Sequence, residues 1–243
     1  MFRYFEKLVD PYVAYNDTDA PPSSLFAFLN EYLGPLRKVL IAIFFLTAIV
    51  GLIEVGLIHL IGVVVDLLTN TSPELVFTEH GWTLALLALF ILFVRPFFQV
   101  LDAAFLNQAL MPNFGTLIRW RSHRHVLRQS VGWFENDFAG RIANRIMQTA
   151  PAAGEAIYQV FDAVVYSIIY LLGALWLLAG IDWRLAIPLV VWLGLYLWLI
   201  GWTIPRVGRA SKAFSDARSE INGRIVDSYS NIQSVKLFAH NSI

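Results

Sequence analysis

Apolar residues dominate four stretches of the chain, at 39–65, 82–106, 156–181 and 185–204, with few polar positions between them. A helix needs about 20 predominantly apolar residues to cross about 30 Å of hydrocarbon, and each stretch meets that length. The first is broken only by Glu54 and His59, the second by Arg95, Pro96 and Asp102. The third carries Asp162 near one end, and the fourth carries no charge. A chain this short has nothing with which to bury four such runs, so the pattern predicts an all-α polytopic membrane protein with four spans.

The helical pattern continues past the apolar stretches. After the fourth, Val207, Ala210, Phe214, Ala217, Ile221 and Ile225 recur at intervals of three and four, with Arg206, Arg209, Lys212, Asp216 and Arg218 between them. That spacing describes an amphipathic helix in water, extending the fourth span by roughly 30 Å at about 1.5 Å per residue. Residues 107–130 extend the second span in the same way, and 142–157 lead into the third. The result is long rods joined at their tips. Before the first span, Leu25, Phe26, Phe28, Leu29, Tyr32 and Leu33 follow Pro21-Pro22-Ser23-Ser24, a spacing that suits a short helix lying in the membrane interface. Gly194, Gly201, Gly208 and Ser215 recur every seven residues, forming a smooth stripe that lets another helix approach closely. Pro96 and Pro205 are candidate kinks.

Composition agrees. Charged residues make up 15% of the chain and apolar ones 57%, against about 25% charged in a soluble domain. Formal net charge is zero, so no global field recruits nucleic acid. With no cysteine, thiolate metal sites and Cys nucleophiles are excluded. Residues 1–20 do not read as a signal peptide, so the first span itself begins insertion. Lys and Arg set the orientation. The connection at 66–81 has none, whereas Arg119, Arg121, Arg124, Arg128, Arg141 and Arg145 lie between the second and third spans. Arg206, Arg209, Lys212, Arg218, Arg224 and Lys236 follow the fourth, and Arg3, Lys7, Arg37 and Lys38 precede the first. Both ends are therefore expected on the cytoplasmic side of the plasma (bacterial inner) membrane. His123 and His125 point in different directions on a helix and read as solvated surface. The sequon Asn70-Thr71-Ser72 reads as chance in a polar turn.

Two charges stand out. Counted from the outer connection, Glu54 and Arg95 each lie roughly 18–20 Å down, near the bilayer midplane. A charge there costs at least ~2.5–3.5 kcal/mol unless paired or hydrated. Glu54 and Arg95 are therefore expected to form an intramembrane ion pair between adjacent antiparallel helices, or to line a translocation pathway.

At the tip of the first rod pair stands Trp133-Phe134-Glu135-Asn136-Asp137-Phe138-Ala139-Gly140-Arg141-Ile142-Ala143-Asn144-Arg145, and at the second Tyr229-Ser230-Asn231-Ile232-Gln233-Ser234-Val235-Lys236-Leu237-Phe238. The first resembles the first intracellular loop of ATP-binding-cassette (ABC) exporters of the six-helix half-transporter type. That loop reads roughly Phe-Phe-Asp, four variable residues, Gly, then Leu-x-Ser-Arg. Phe134, Glu135, Gly140, Ile142, Asn144 and Arg145 fall on those places. The second is similar to the family's Asn-Ile-x-x-Val-Lys-x-Phe at Asn231, Ile232, Val235, Lys236 and Phe238. Asp182-Trp183-Arg184-Leu185 resembles the family's turn between its third and fourth helices. Glu135, Asn144 and Asn241 depart mildly from the usual residues.

The resemblance implies an incomplete six-helix exporter membrane domain of the type IV fold. Residues 1–22 would be a cytoplasmic segment, 23–38 an interfacial elbow helix, and 39–243 the membrane domain with cytoplasmic loops at 107–155 and 205–243. It also implies a first coupling helix at Trp133, Phe134, Glu135, Asn136, Asp137 and Phe138, and a second at Tyr229, Ser230, Asn231, Ile232, Gln233 and Val235. Gly140, Arg141 and Arg145 would brace the loop. The partners implied are nucleotide-binding domains, fused or separate, a second half-transporter in a homodimer or heterodimer, and membrane lipid. The cargo implied is amphipathic or lipid-like. ATP and Mg would belong to the nucleotide-binding domain, because residues 1–243 hold no Gly-x-x-x-x-Gly-Lys-Ser/Thr phosphate loop. Two rival functions are a secondary transporter driven by protons at Glu54, Asp102 or Asp162, for which four spans are few, and a non-transporting membrane assembly protein, which would need no midplane charges.

Overall fold

The computed structural model describes residues 2–16, 21–22, 24–72, 74–135 and 139–238. The described residues form helices and turns, with no strand. A short helix α1 (Phe2–Glu6) opens the chain, followed by α2 (Leu25–Tyr32), whose first turn is capped where Ser24 Oγ accepts from the Ala27 amide. A single 3₁₀ turn containing Pro35 leads into α3 (Arg37–Asn70). The second rod is continuous from Val76 to Leu127. It comprises α4 (Val76–Leu89), α5 (Arg95–Ala104) and α6 (Met111–Leu127), separated by π-helical turns at Phe90–Val94 and Phe105–Leu110.

Both of those turns end two residues before a proline, Pro96 and Pro112. A proline has no N–H to give the carbonyl four residues earlier, and a widened turn is one way a helix absorbs that loss without breaking. The kink expected at Pro96 is thus met by a local widening within an uninterrupted rod.

After α7 (Val131–Glu135), the third rod comprises α8 (Ala139–Gln159), a π-helical turn at Val160–Val165, and α9 (Tyr166–Ile181). Asp182 sits in extended conformation and accepts the Arg184 amide at 2.9 Å, capping α10 (Trp183–Ser230). At 48 residues α10 is about 72 Å long, and Pro188 and Pro205 lie inside it without ending it. Asn231 interrupts the helix and α11 (Ile232–Phe238) follows. Among the described residues, four helical rods are long and apolar enough to cross a membrane: Gly34–Asn70, Val76–Leu127, Ile142–Ile181 and Trp183–Ser230.

The chain divides into two compact units, Met1–Leu177 and Leu178–Ile243. In the first, the core gathers at one end of the rods. Leu36, Ile43, Leu106, Ala109, Leu110, Phe114, Leu117, Ile118 and Ala150 are closed off from solvent there. Toward the middle of the rods, glycines set the spacing of α3 and α9. A Cβ on Gly51 would meet Ile169 Cγ2 at 3.0 Å, and one on Gly173 would meet Val55 Cγ2 at 2.6 Å. The two pairs are each four residues apart, so every glycine receives the branched side chain opposite it. This is how small residues draw helix backbones together in lipid.

Candidate functional site

Glu54 sits at the centre of α3, seventeen residues from Arg37 and sixteen from Asn70, or about 25 Å from either end. Arg95 opens α5 directly after the first π-helical turn. Their side chains meet between the two rods. Arg95 Nε donates to Glu54 Oε1 at 2.8 Å, and Nη2 donates to Oε2 at 3.3 Å. Gln99, one turn further along α5, donates to Oε1 from Nε2 at 3.1 Å. The carboxylate thus takes three donors and is only 18% exposed, while the guanidinium is 37% exposed. A side-on pair of this kind holds both charges at a modest desolvation cost, because the strongest acceptor and donor in the span satisfy each other.

A second rung lies two turns away. Thr47 precedes Glu54 by seven residues on α3, and Asp102 follows Arg95 by seven on α5. Thr47, almost fully buried, donates to Asp102 Oδ1 at 3.0 Å. The antiparallel course of the helices sets the two rungs about 10 Å apart. Asp162, in the π-helical turn of the third rod, lies within the electrostatic reach of Asp102, and Tyr166 within that of Glu54 and Arg95. Beyond Glu54, on the side of Asn70, the seam between α3 and α4 is wholly aliphatic. A groove of about 310 Å³ is lined there by Leu57, Leu60, Ile61, Val64, Val65, Leu87 and Ile91.

Away from the apolar stretches, Arg121 of α6 is buried with its guanidinium 4.4 Å from the Tyr15 ring and 5.1 Å from the Tyr32 ring. Its Nε makes no hydrogen bond among the described residues. Two aromatic faces therefore hold this cation. Burial raises the pKa of the Tyr32 hydroxyl, and the Arg121 charge beside it partly offsets the shift.

The residues expected at the tips lie in two places. Trp133 and Phe134 stand on α7, packed edge to face at 5.1 Å and still 38% and 37% exposed. Glu135 ends α7, and Gly140, Arg141 and Arg145 lie in the first turns of α8. Asn136, Asp137 and Phe138 lie outside the described residues. Thr149 Oγ1 donates to the Arg145 carbonyl at 2.7 Å. At the other tip, Tyr229 and Ser230 end α10, Asn231 caps it, and Ile232, Gln233 and Val235 lie on α11. Tyr229, Ile232 and Val235 are exposed.

Residues 40–243 match the family described as ABC transporter transmembrane region. The chain belongs to that family. Over 242 residues it is 31% identical to an uncharacterized ABC transporter ATP-binding protein of Haemophilus influenzae. The match covers all of this chain and 39% of that relative. No solved structure matches the chain. As a member of the ABC transporter transmembrane family with four apolar rods, it is an integral membrane protein.

Sequence reasoning missed three features of this ABC transmembrane region. The packing of α3 on α9 through Gly51 and Gly173 carries no charge or motif. The Thr47–Asp102 bond was legible only in the matching seven-residue spacing of Thr47 with Glu54 and Arg95 with Asp102. The Arg121 site depends on Tyr15, which lies a hundred residues away in the chain and carries no motif.

Proposed function

We propose that this chain builds part of the substrate pathway of an ATP-driven exporter and receives the work of ATP hydrolysis at its two tips. The observation that carries the reading is the continuity of the rods. The second rod runs 52 residues without a break and α10 runs 48, roughly twice what a bilayer requires. Each rod brings exposed aromatic or aliphatic side chains to a short terminal helix. A rod of that length is a lever, and an exposed apolar tip is a docking surface.

In this reading Trp133–Phe138 and Tyr229–Val235 are the coupling helices, seated in grooves of ATPase domains that bind ATP and Mg. Gly140, Arg141 and Arg145 brace the first of them. The tips and both chain ends face the cytoplasm, where the basic residues concentrate. Two half-transporters assemble, and the Glu54–Arg95 pair with the Thr47–Asp102 rung lies along the pathway taken by an amphipathic cargo.

The test uses the chain together with its ATPase domains. Because the sequence has no cysteine, Trp133→Cys and Tyr229→Cys each introduce one thiol. A thiol cross-linker should join each position to a cysteine placed on the ATPase domain surface, and ATP should change the yield. Failure of both positions to cross-link under any nucleotide condition would end the coupling assignment.

A further inference from the structure

Residues 2–16 lie along the second rod in register with it. Phe5 is buried and its ring meets Phe105 edge to face at 5.3 Å. Val9 is buried in the same core. Tyr12 packs edge to face on Trp120 at 5.5 Å, and Tyr15 covers the Arg121 guanidinium at 4.4 Å. As the arm advances from 5 to 15, its partners advance from 105 to 121. The arm thus runs alongside the rod over sixteen residues, about 24 Å of helix.

These contacts straddle one of the two π-helical turns of that rod. Phe105–Leu110 is π-helical, and Pro112 just beyond it has no N–H to give. The side chain of Asn113, almost fully buried, spans the defect. Its Nδ2 donates to the Ala109 carbonyl inside the widened turn at 2.9 Å, and to the Glu6 carbonyl of the arm at 3.0 Å. One amide group therefore uses both its hydrogens, one on the turn and one on the arm. Phe5 covers the start of the turn, and Arg121, held by Tyr15 and Tyr32, fixes the arm beyond it.

We propose that residues 2–16 are a strap that splints the proline-weakened turn at Phe105–Leu110, so that the second rod moves as one stiff body. The strap itself follows from packing and hydrogen bonds alone. Its consequence for coupling rests on the exporter reading.

Hydrogen exchange in lipid nanodiscs tests the strap without nucleotide or cargo. Removing residues 2–16 should speed exchange at 106–114 by about tenfold or more, and Asn113→Leu by a smaller factor of about three, while 56–65 stays unchanged. If the deletion does not fold, Phe5→Ser combined with Val9→Ser replaces it, with the same expectation. In the cysteine-free background, Tyr12→Cys and Trp120→Cys should be joined by a short thiol cross-linker. Unchanged exchange at 106–114, or no cross-link, overturns the strap. In the chain joined to its ATPase domains, the same deletion should keep ATP hydrolysis and lower cargo moved per ATP. A wild-type protein that moves no cargo overturns the exporter reading and leaves the exchange result standing. A deletion that exchanges fast but couples normally overturns the stiffness claim alone.

Discussion

Helices α3 and α10 are both long and strongly apolar, yet their surroundings differ. On α3, Val39, Ile43, Thr47, Val50, Gly51 and Val55 are buried, and Glu54 finds its partners on α5. On α10 the large apolar side chains are exposed, and a Cβ added at Gly194, Gly201 or Gly208 would meet open space. Their apolar windows look alike in hydropathy. On α3 the small and polar residues have counterparts elsewhere in the first unit. Gly51 does, and so do Glu54 and Thr47. The stripe on α10 repeats small residues every seven positions, the spacing that invites close packing.

Four substitutions sharpen that difference. The largest effect is expected from Arg95→Gln, which leaves the Glu54 carboxylate with Gln99 alone at mid-span. It should lower stability more than any other single substitution here, read as the loss of folded fraction in denaturant-titrated detergent. Adding Glu54→Gln should restore most of that loss. A double variant worse than the sum of the singles would show that the two side chains do not act as a pair. Gly173→Ala comes next. Its Cβ would lie 2.6 Å from a branched Val55 that has little room to turn, and overpacking of this kind costs about 1–3 kcal/mol. Combining it with Val55→Ala should recover part of the loss, and no recovery would place the strain elsewhere.

Asp182→Ala removes the cap of α10 and should cost about 1 kcal/mol, visible as faster amide exchange confined to the first turn after Trp183. The smallest effect is expected from Gly201→Ala. In the isolated chain it should shift stability by less than about 1 kcal/mol, toward stabilisation, because alanine is the better helix former. If Gly201→Ala destabilises the isolated chain as much as Gly173→Ala does, the contrast between α3 and α10 disappears.

Much of the architecture was legible without coordinates, and the reason is physical. A bilayer demands long apolar runs and internally satisfied backbones, so helix number and length follow from hydropathy. The helices nevertheless exceed the apolar boundaries, α3 reaching Arg37 and Asn70 and the second rod starting at Val76. Hydropathy marks where hydrocarbon ends, and a helix has no reason to stop there. Glu54 and Arg95 stood out because charge in an apolar run is costly wherever its partner lies. The arm at 2–16 did not, because its apolar residues are interspersed with charges in a short run broken by Pro11, and nothing in that run says what it packs on. Nor did the π-helical turns, although prolines follow two of them.

The sequence by itself determined the four long apolar runs, the family signature at the tips and the place of Glu54 and Arg95 in the middle of two of those runs. Each is a local property, set by run length, motif or distance from a polar boundary. Only the tertiary structure decided which partners those charges take, which glycines are filled, and that residues 2–16 lie against the second rod. Those outcomes depend on two surfaces fitting each other. Complementarity between segments a hundred residues apart, as between Glu6 and Asn113, is not written in either segment alone.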